Sequence, residues 1–438
     1  MDTRTKKRFL LFVIIGVLVA GAVFLTQAII RNQRSLFIEK NIESFLESQK
    51  YKTETKNDWS DGAWLTTFNK DKIEHLYFET SYMGDATEAW VYDGIRFYYD
   101  EGSLHAVVGT RLRFNSSMKG LFKDLKNLKT ITGLSHLNTE NVEDMSELFS
   151  GCENLYDVKL NELDTSGVKN IDKMFYNCKT LKKIDLTRNS LLNCETANGI
   201  FVGCPKLEEI SLPSLKNIQS MNQAFFEVGS FNFNTKLVAE LDTINLTSAV
   251  SMFEKSNFVN IEPIENMKTN KLENATRMFF NSSYDNLDLS KWKTNNLKHT
   301  DGMFEDSMGL MQLNLNRWNA SSLVTTSSMF KSCTSLTNLT LNWNNCGNLK
   351  SANQMFYLCD SLTELDLSFM NDHKIGDARE MFFCAKNIEN IYCSKITTDI
   401  SDDMFLGCES LTGSINYNSE QNRGNMADTN GYFSERKS

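Results

Sequence analysis

Apolar and polar positions along the chain repeat in one recurring unit. A phenylalanine, most often after methionine, occurs at 122, 149, 175, 201, 225, 253, 279, 304, 330, 356, 382 and 405. The intervals are 27, 26, 26, 24, 28, 26, 25, 26, 26, 26 and 23, so the chain makes twelve passes at a period near 26. The first half of each unit is apolar seven, four and one residues before the Phe, as at Val168, Ile171 and Met174, or Leu349, Ala352 and Met355. Spacings of three and four predict one face of a short helix or a 3₁₀ turn. The second half is apolar three, six, nine and eleven residues after it, as at Cys333, Leu336, Leu339 and Leu341. Its period-2 end predicts a strand that buries two side chains and exposes those beside them.

The last three of these positions read L-x-x-L-x-L, the strand signature of a leucine-rich repeat. The predicted fold is therefore an α/β repeat, a solenoid of about twelve 26-residue leucine-rich repeats at residues 115–411. One unit cannot bury its apolar stripe alone, whereas stacked units bury a continuous core. Twelve strands at about 4.8 Å make a stack roughly 60 Å long. A stack needs capped ends. Residues 57–114 fit a small β-rich N-terminal cap: they carry Trp59, Trp64 and Trp90, and Asp93-Gly94 is a hairpin turn between Glu88–Tyr92 and Ile95–Tyr99. Residues 412–438 are the other cap or tail. The pattern weakens over 200–270, where Phe225 follows Ala224 and Pro263 interrupts a strand half, which predicts a kink or a loop excursion.

The N-terminus changes the picture of where this stack sits. Phe9–Ile30 is an uncharged run, long enough to span a bilayer, behind the basic residues Arg4, Lys6, Lys7 and Arg8. The positive-inside rule then places residues 1–8 in the cytoplasm, 9–30 in the membrane as a signal-anchor, and the rest outside. The competing reading is a cleaved signal core at Phe9–Val19, with Ala20-Gly21-Ala22 as the cleavage site. Residues 31–56 read as a juxtamembrane helix and linker, since Ile38, Ile42, Phe45 and Leu46 fit one helical face. Gly16 and Ala20 also fit a small-x-x-x-small pairing motif in the membrane run.

At Asn141–Leu160, NVEDMSELFSGCENLYDVKL, and at Asn170–Leu186, NIDKMFYNCKTLKKIDL, the unit resembles that of the BspA-like leucine-rich-repeat surface proteins. The link Leu163-Asp164-Thr165-Ser166-Gly167-Val168 and the closing Ala427–Phe433 are similar to that family as well. The resemblance spans about 90–438. It implies a bacterial or protist surface protein, some members being linked to adhesion or ligand binding. No C-terminal wall-sorting motif accompanies it here, so any anchor is expected at the N-terminal helix.

Composition narrows the chemistry. Net charge is −9 over 438 residues with both signs interspersed, and no polybasic tract follows the N-terminal segment, which argues against a nucleic-acid partner. Three prolines, Pro205, Pro213 and Pro263, exclude a Pro-rich stalk. Of ten cysteines, Cys152, Cys178, Cys204, Cys333, Cys359 and Cys408 stand three after the repeat Phe, which is core behaviour for a small apolar side chain. Cys194 and Cys393 fall at other buried positions, and Cys346 and Cys384 lie off the pattern as the expected accessible thiols. The five histidines, His75, His105, His136, His299 and His373, occupy unlike positions. No nucleophile elbow, phosphate loop or metal-ligand spacing occurs, so neither an enzyme, a metal nor a cofactor is expected.

The candidate ligand-binding surface is the outward face of the strands: Asn286, Asp288, Gln312, Asn314, Asn338, Thr340, Glu364 and Asp366. Rows of Asn, Asp and Thr suit a glycan or a polar protein surface, and solenoids use such faces for binding. Any exposed sheet face must also be polar, so the same residues suit a structural envelope protein with no foreign ligand. Trp292 and Trp318 follow the last strand leucine by three and are expected to pack as wedges at the turn.

Overall fold

The computed structural model describes residues 59–434, apart from 66–67, 109–110, 229, 234–241, 259 and 345. The run Phe9–Ile30, the stretch Ser35–Lys50 and the tail beyond Ser434 lie outside the described residues. Among those described, no helix is long and apolar enough to cross a membrane.

The repeat phenylalanines form one stack through all twelve turns. Successive rings from Phe122 to Phe405 lie 5.3 to 5.8 Å apart and within 29° of parallel. Each is fully buried, with the leucines and methionines of its unit around it. That spacing is close to the 4.7–4.9 Å that separates neighbouring β-strands.

Of the two expectations for the first half of the unit, a short helix or a 3₁₀ turn, the structure shows turns and no helix. This half is a ladder of turns in which alternate N–H groups donate to the next turn of the solenoid: Met145 to Asn170, Glu147 to Asp172, Phe149 to Met174 and Gly151 to Tyr176. The intervening N–H groups close short turns, as Ser150 to Glu147 and Cys152 to Phe149. The backbone is left-handed two residues before and two after the Phe, as at Lys173 and Asn177, Arg277 and Asn281, or Ser328 and Ser332. Glycine relieves that cost at some turns; at Gly407, φ is 81° and a Cβ would lie 2.8 Å from Cys384 Sγ. The reason a helix loses is spacing. Packed helices sit about 8–10 Å apart, twice the strand separation, whereas a turn ladder keeps both sides of the stack in step. Left-handed non-glycine residues cost roughly 1–2 kcal/mol each, which the cross-turn hydrogen bonds and ring burial offset.

Parallel bridges tie this ladder together without a break from Ser117 through Asp144, Asn170, Thr196, Ser220, Ser248, Asn274, His299, Thr325 and Ser351 to Asp377. The strand side is less continuous. Lys183–Asp185, Glu209–Ser211, Ser230–Phe233 and Asn257–Phe258 form one sheet; Asn286–Asp288, Gln312–Asn314 and Asn338–Thr340 form a second; Glu364–Asp366, Asn390–Tyr392 and Phe433–Ser434 form a third. Near the irregular stretch, Pro263 sits in the first turn of a short helix, Glu262–Glu265, where a missing N–H costs nothing.

Side-chain ladders fix the corners. In the Asp164-Thr165-Ser166 link, Asp164 Oδ1 accepts from Ser166 N at 2.9 Å and Thr165 Oγ1 donates to Ser190 O at 2.8 Å. Trp292, Trp318 and Trp343 stack at 6.1 and 5.8 Å, and their indole N–H groups donate to Ile264 O, Leu289 O and Leu315 O.

The cysteine column does more than fill space. Cys152, Cys178, Cys204, Cys333, Cys359 and Cys408 each donate from sulfur to the carbonyl of the preceding turn's Phe, at 2.9 to 3.3 Å. Ser282 and Ser307 make the same bond at 2.8 and 2.9 Å, and Ser256 makes it to Phe225. Nine of the twelve turns thus place a small donor here, while Leu125, Val228 and Ala385 fill the position without one. Cys359→Ser is expected to change stability by under about 1 kcal/mol, whereas Cys359→Ala costs ~1–2 kcal/mol by removing the donor. Urea midpoints of the two variants check this; equal losses would mean that sulfur volume, not the donor, matters.

Both ends are closed by aromatic groups. In the N-terminal cap, β1 (His75–Glu79), β2 (Glu88–Tyr92), β3 (Ile95–Asp100) and β4 (Ser103–Val107) join the first solenoid strands. With β5 (Leu112–Arg113), β6 (Thr130–Thr132), β7 (Leu137–Asn138) and β8 (Asp157–Val158) numbered onward, the order is β2-β3-β4-β1-β6-β8, and β5 pairs with β7. Trp64 Nε1 donates to Leu121 O at 2.9 Å, taking the first turn's carbonyl that no earlier turn satisfies. At the far end Phe405 N donates to Asn422 O and Gly407 N to Tyr417 Oη, while Tyr432 and Phe433 meet the Phe405 ring edge-on.

Candidate functional site

The outward strand face is built by register. Leu287 and Leu313 point into the core with Leu339 packed against it, so the residues on either side of each point out. Parallel pairing aligns Asn286 with Gln312 and Asn338 in one row, and Asp288 with Asn314 and Thr340 in the next. Asn286, Gln312 and Asn338 are exposed. Six of the eight candidate residues thus share one patch. Glu364 and Asp366 belong to the next sheet, where they align with Asn390 and Tyr392.

The two rows differ in their hydrogen bonding. Asp288 Oδ1 accepts from Ser290 N at 2.9 Å, Asn314 Oδ1 from Asn316 N at 3.0 Å, and Asp366 Oδ1 from Ser368 N at 2.9 Å. These Asx turns end the strands, so the second row is partly structural. Burial pushes the Asp288 carboxyl up, but hydrogen bonds from Ser290 and Asn314 outweigh it and hold the group below its ordinary value. Glu265 Oε1 accepts from Asp288 N at 3.0 Å, and burial raises the Glu265 carboxyl. The first row, Asn286, Gln312 and Asn338, is exposed throughout, as is Glu364 of the next sheet.

The cap extends the same sheet. Because β1 pairs in register with both β4 and β6, the outward row Tyr98, His105, Tyr77 and Thr132 continues the strand face. Tyr77 and Tyr82 pack on the His105 ring at 4.7 and 4.5 Å, and His105 Nδ1 lies 2.9 Å from Glu79 Oε1. Aromatic side chains, scarce on the solenoid strands, are therefore supplied by the cap.

The opposite, turn-ladder face carries its own polar array, which the L-x-x-L-x-L pattern did not point to. The column five residues before each Phe is uniformly polar from Ser117 to Asp377, and that was the signal available in the sequence. Its groups bond along the stack, as Ser220 Oγ to Asn198 Oδ1 at 2.6 Å and Ser248 Oγ to Asn222 Oδ1 at 2.7 Å. Beside it, Arg277 lies 3.4 Å over the Phe280 ring and forks onto Glu254, with Nη2 to Oε1 at 2.9 Å and Nε to Oε2 at 3.3 Å.

All ten cysteines are free thiols. Cys346, expected to be accessible, is buried and donates to Phe369 O at 3.3 Å, because it stands ten residues before the repeat Phe, a position that Thr269, Thr294 and Ala320 bury in other turns. Cys384 is the half-buried thiol. Burial pushes Cys194, Cys204, Cys346 and Cys393 up to about 12, so they stay protonated at neutral pH. At pH 8 a thiol reagent is expected to modify Cys384 first, with the other nine reacting only on unfolding; mass spectrometry of the labelled native protein reads this out. Among the described residues no group of His, Cys, Asp or Glu side chains is placed to hold a metal ion.

No curated protein matches the chain. A leucine-rich repeat protein from Bacteroides ovatus is 18% identical, over 72% of this chain and 84% of that one, with a TM-score of 0.38. A leucine rich cell surface protein from Faecalibacterium prausnitzii is 13% identical, over 79% of this chain and 98% of that one, with a TM-score of 0.30. The profile of the family described as "Mycoplasma protein of unknown function, DUF285" matches residues 116–237, 195–313, 279–394 and 307–418. These overlapping matches run through the whole turn-and-strand solenoid, well over half of the sequence, and the chain belongs to that family.

Proposed function

We propose that this protein is a surface-displayed binding module of the BspA-like kind, tethered to the cell membrane through residues 9–30 with its solenoid outside. It recognises a protein or glycan reversibly through the outward strand face and carries out no covalent chemistry. The observation that supports this reading most is the exposed, in-register row Asn286, Gln312 and Asn338. Amides at strand spacing both donate and accept, which suits repeated polar groups on a ligand.

A structural envelope protein without a foreign ligand is the second reading. The observation favouring it is that Asp288, Asn314 and Asp366 already serve as turn-formers. Binding of the chain to a panel of matrix proteins and glycans separates the two. The double variant Gln312→Ala, Asn338→Ala is expected to weaken saturable binding about tenfold or more while leaving thermal unfolding unchanged. A panel with no saturable ligand would favour the structural reading.

A further inference from the structure

We infer that the cleft between the N-terminal cap and the first turn of the solenoid is a separate binding site for a neutral saccharide unit. It is independent of the strand face. A ladder of asparagines runs along the corner eight residues before the repeat Phe. Asn193 donates to Ser166 O at 2.7 Å, Asn245 to Lys216 O at 2.7 Å, Asn296 to Asn270 O at 2.7 Å and Asn348 to Ser321 O at 2.6 Å. Each amide reaches back to the carbonyl nine residues before the preceding Phe. By the same register Asn141 should reach Arg113 O. It does not, and an open cleft of about 450 Å³ lies there instead, lined by Arg113, Phe114, Asn115, Asn138, Glu140 and Asn141.

The backbone shows why the ladder stops. β5 pairs with β7 over Leu112–Leu137 and Arg113–Asn138, and the next contact, Phe114 N to Asn138 O, is already stretched to 3.5 Å. Past it the cap strand and the first turn part, and they meet again where Glu143 N donates to Ser116 O at 2.8 Å. The side chains left in the gap are unspent. Among the described residues Arg113, Asn115, Glu140 and Asn141 make no side-chain hydrogen bond or ion pair. Asn138 uses only its Oδ1, which accepts from Glu140 N at 3.2 Å. Elsewhere on the solenoid, comparable groups are paired between turns, as Lys169 with Glu143 and Lys298 with Glu273, both at 2.8 Å.

Three amides, one guanidinium and one carboxylate facing one cleft offer donors and acceptors in mixed order. Vicinal hydroxyls, each donor and acceptor at once, are the groups that match such a set. Arg113 and Glu140 cancel in charge, which favours a neutral ligand over an anionic one. The Phe114 ring is buried in the core against Trp59, so recognition in the cleft rests on the polar groups. The volume falls within the roughly 300–1,000 Å³ of small-molecule sites, enough for a mono- or disaccharide.

The test is saturation-transfer NMR on the full chain with glucose, galactose, mannose, N-acetylglucosamine, maltose and cellobiose, and with glucuronic acid as the charged comparison. Transfer to at least one neutral sugar is expected. Asn141→Ala and Arg113→Ala, which remove exposed side chains that have no partner among the described residues and so leave the fold intact by circular dichroism, should each weaken it about tenfold. Gln312→Ala with Asn338→Ala should leave it unchanged. The site is overturned if no neutral sugar shows transfer, if glucuronic acid alone does, or if the strand-face variant loses the signal while the cleft variants keep it. Loss of binding in the strand-face variant bears on the proposed function, and loss in the cleft variants on this site, so the two fail separately.

Discussion

Phe330→Ala is expected to destabilise the protein by about 3–5 kcal/mol, the range for emptying a fully buried aromatic site, and to split its unfolding into two transitions. Phe330 lies in the interior of the ring stack, 5.8 Å from Phe304 and 5.4 Å from Phe356, and has no exposure. Its carbonyl also accepts from Cys359, so loss of the ring loosens the turn that holds this acceptor. In a solenoid each turn contacts only its neighbours, and stability is close to a sum of turn and interface terms. A defect at an end removes one interface, but a defect in the interior weakens two and uncouples the blocks on either side. Circular dichroism melts of Phe330→Ala should show two steps where the parent shows one. Phe330→Leu, which keeps most of the volume, should melt in one step. A single cooperative transition for Phe330→Ala with a loss below about 1 kcal/mol would show that the stack is not the element that couples the turns.

Arg277→Ala is expected to cost ~3–5 kcal/mol, because it leaves a buried carboxylate without its partner. Glu254 has only 7% of its side chain exposed, and its ion pair is the Arg277 fork. The guanidinium is held flat by Phe280 beneath it and also lies 3.8 Å from Glu305. Arg277→Lys should recover only part of the loss, since an ammonium cannot fork onto both carboxylate oxygens. Arg277 is also a left-handed residue, with φ of 53°. If backbone strain outweighed the ion pair, Arg277→Gly would stabilise the protein; we expect it to destabilise nearly as much as alanine. The double variant Arg277→Met, Glu254→Gln removes both charges and should recover most of the stability. Denaturant unfolding of the four variants gives the comparison.

The period, the number of turns and the buried positions were legible in the sequence. Phe, Leu and Cys recur where they do because every turn must bury the same atoms against the same atoms of its neighbours. The outward rows were legible for a related reason: strand side chains alternate, so knowing Leu313 is in places Gln312 and Asn314 out. What the sequence hid at Asn314 and Asp288 was that their side chains already cap the turn that follows. A polar side chain reads the same whether its acceptor is spent on a backbone N–H or open to a ligand. Cys346 stands at a position that other turns fill with Thr269, Thr294 and Ala320, so its burial follows the period.

A stacked repeat with a phenylalanine column was readable from the residues alone, because a unit of this length buries its apolar stripe only against copies of itself. The conformation of the first half of each turn was set by packing between turns. The three-and-four spacing of Val168, Ile171 and Met174 suits a helix locally, yet the neighbouring turn lies about 5 Å away, the strand spacing, and there Ile171 N donates across to Thr196 O while Val168 N and Met174 N close short turns on Thr165 O and Ile171 O. At that distance cross-turn bonds and left-handed residues such as Lys173 and Asn177 win over helical ones. The end caps and the cleft at Asn141 were decided by tertiary packing too. They arise where the repeat stops and its unpaired groups must find a partner outside the pattern: Trp64 supplies one for Leu121, and among the described residues the side chain of Asn141 has none.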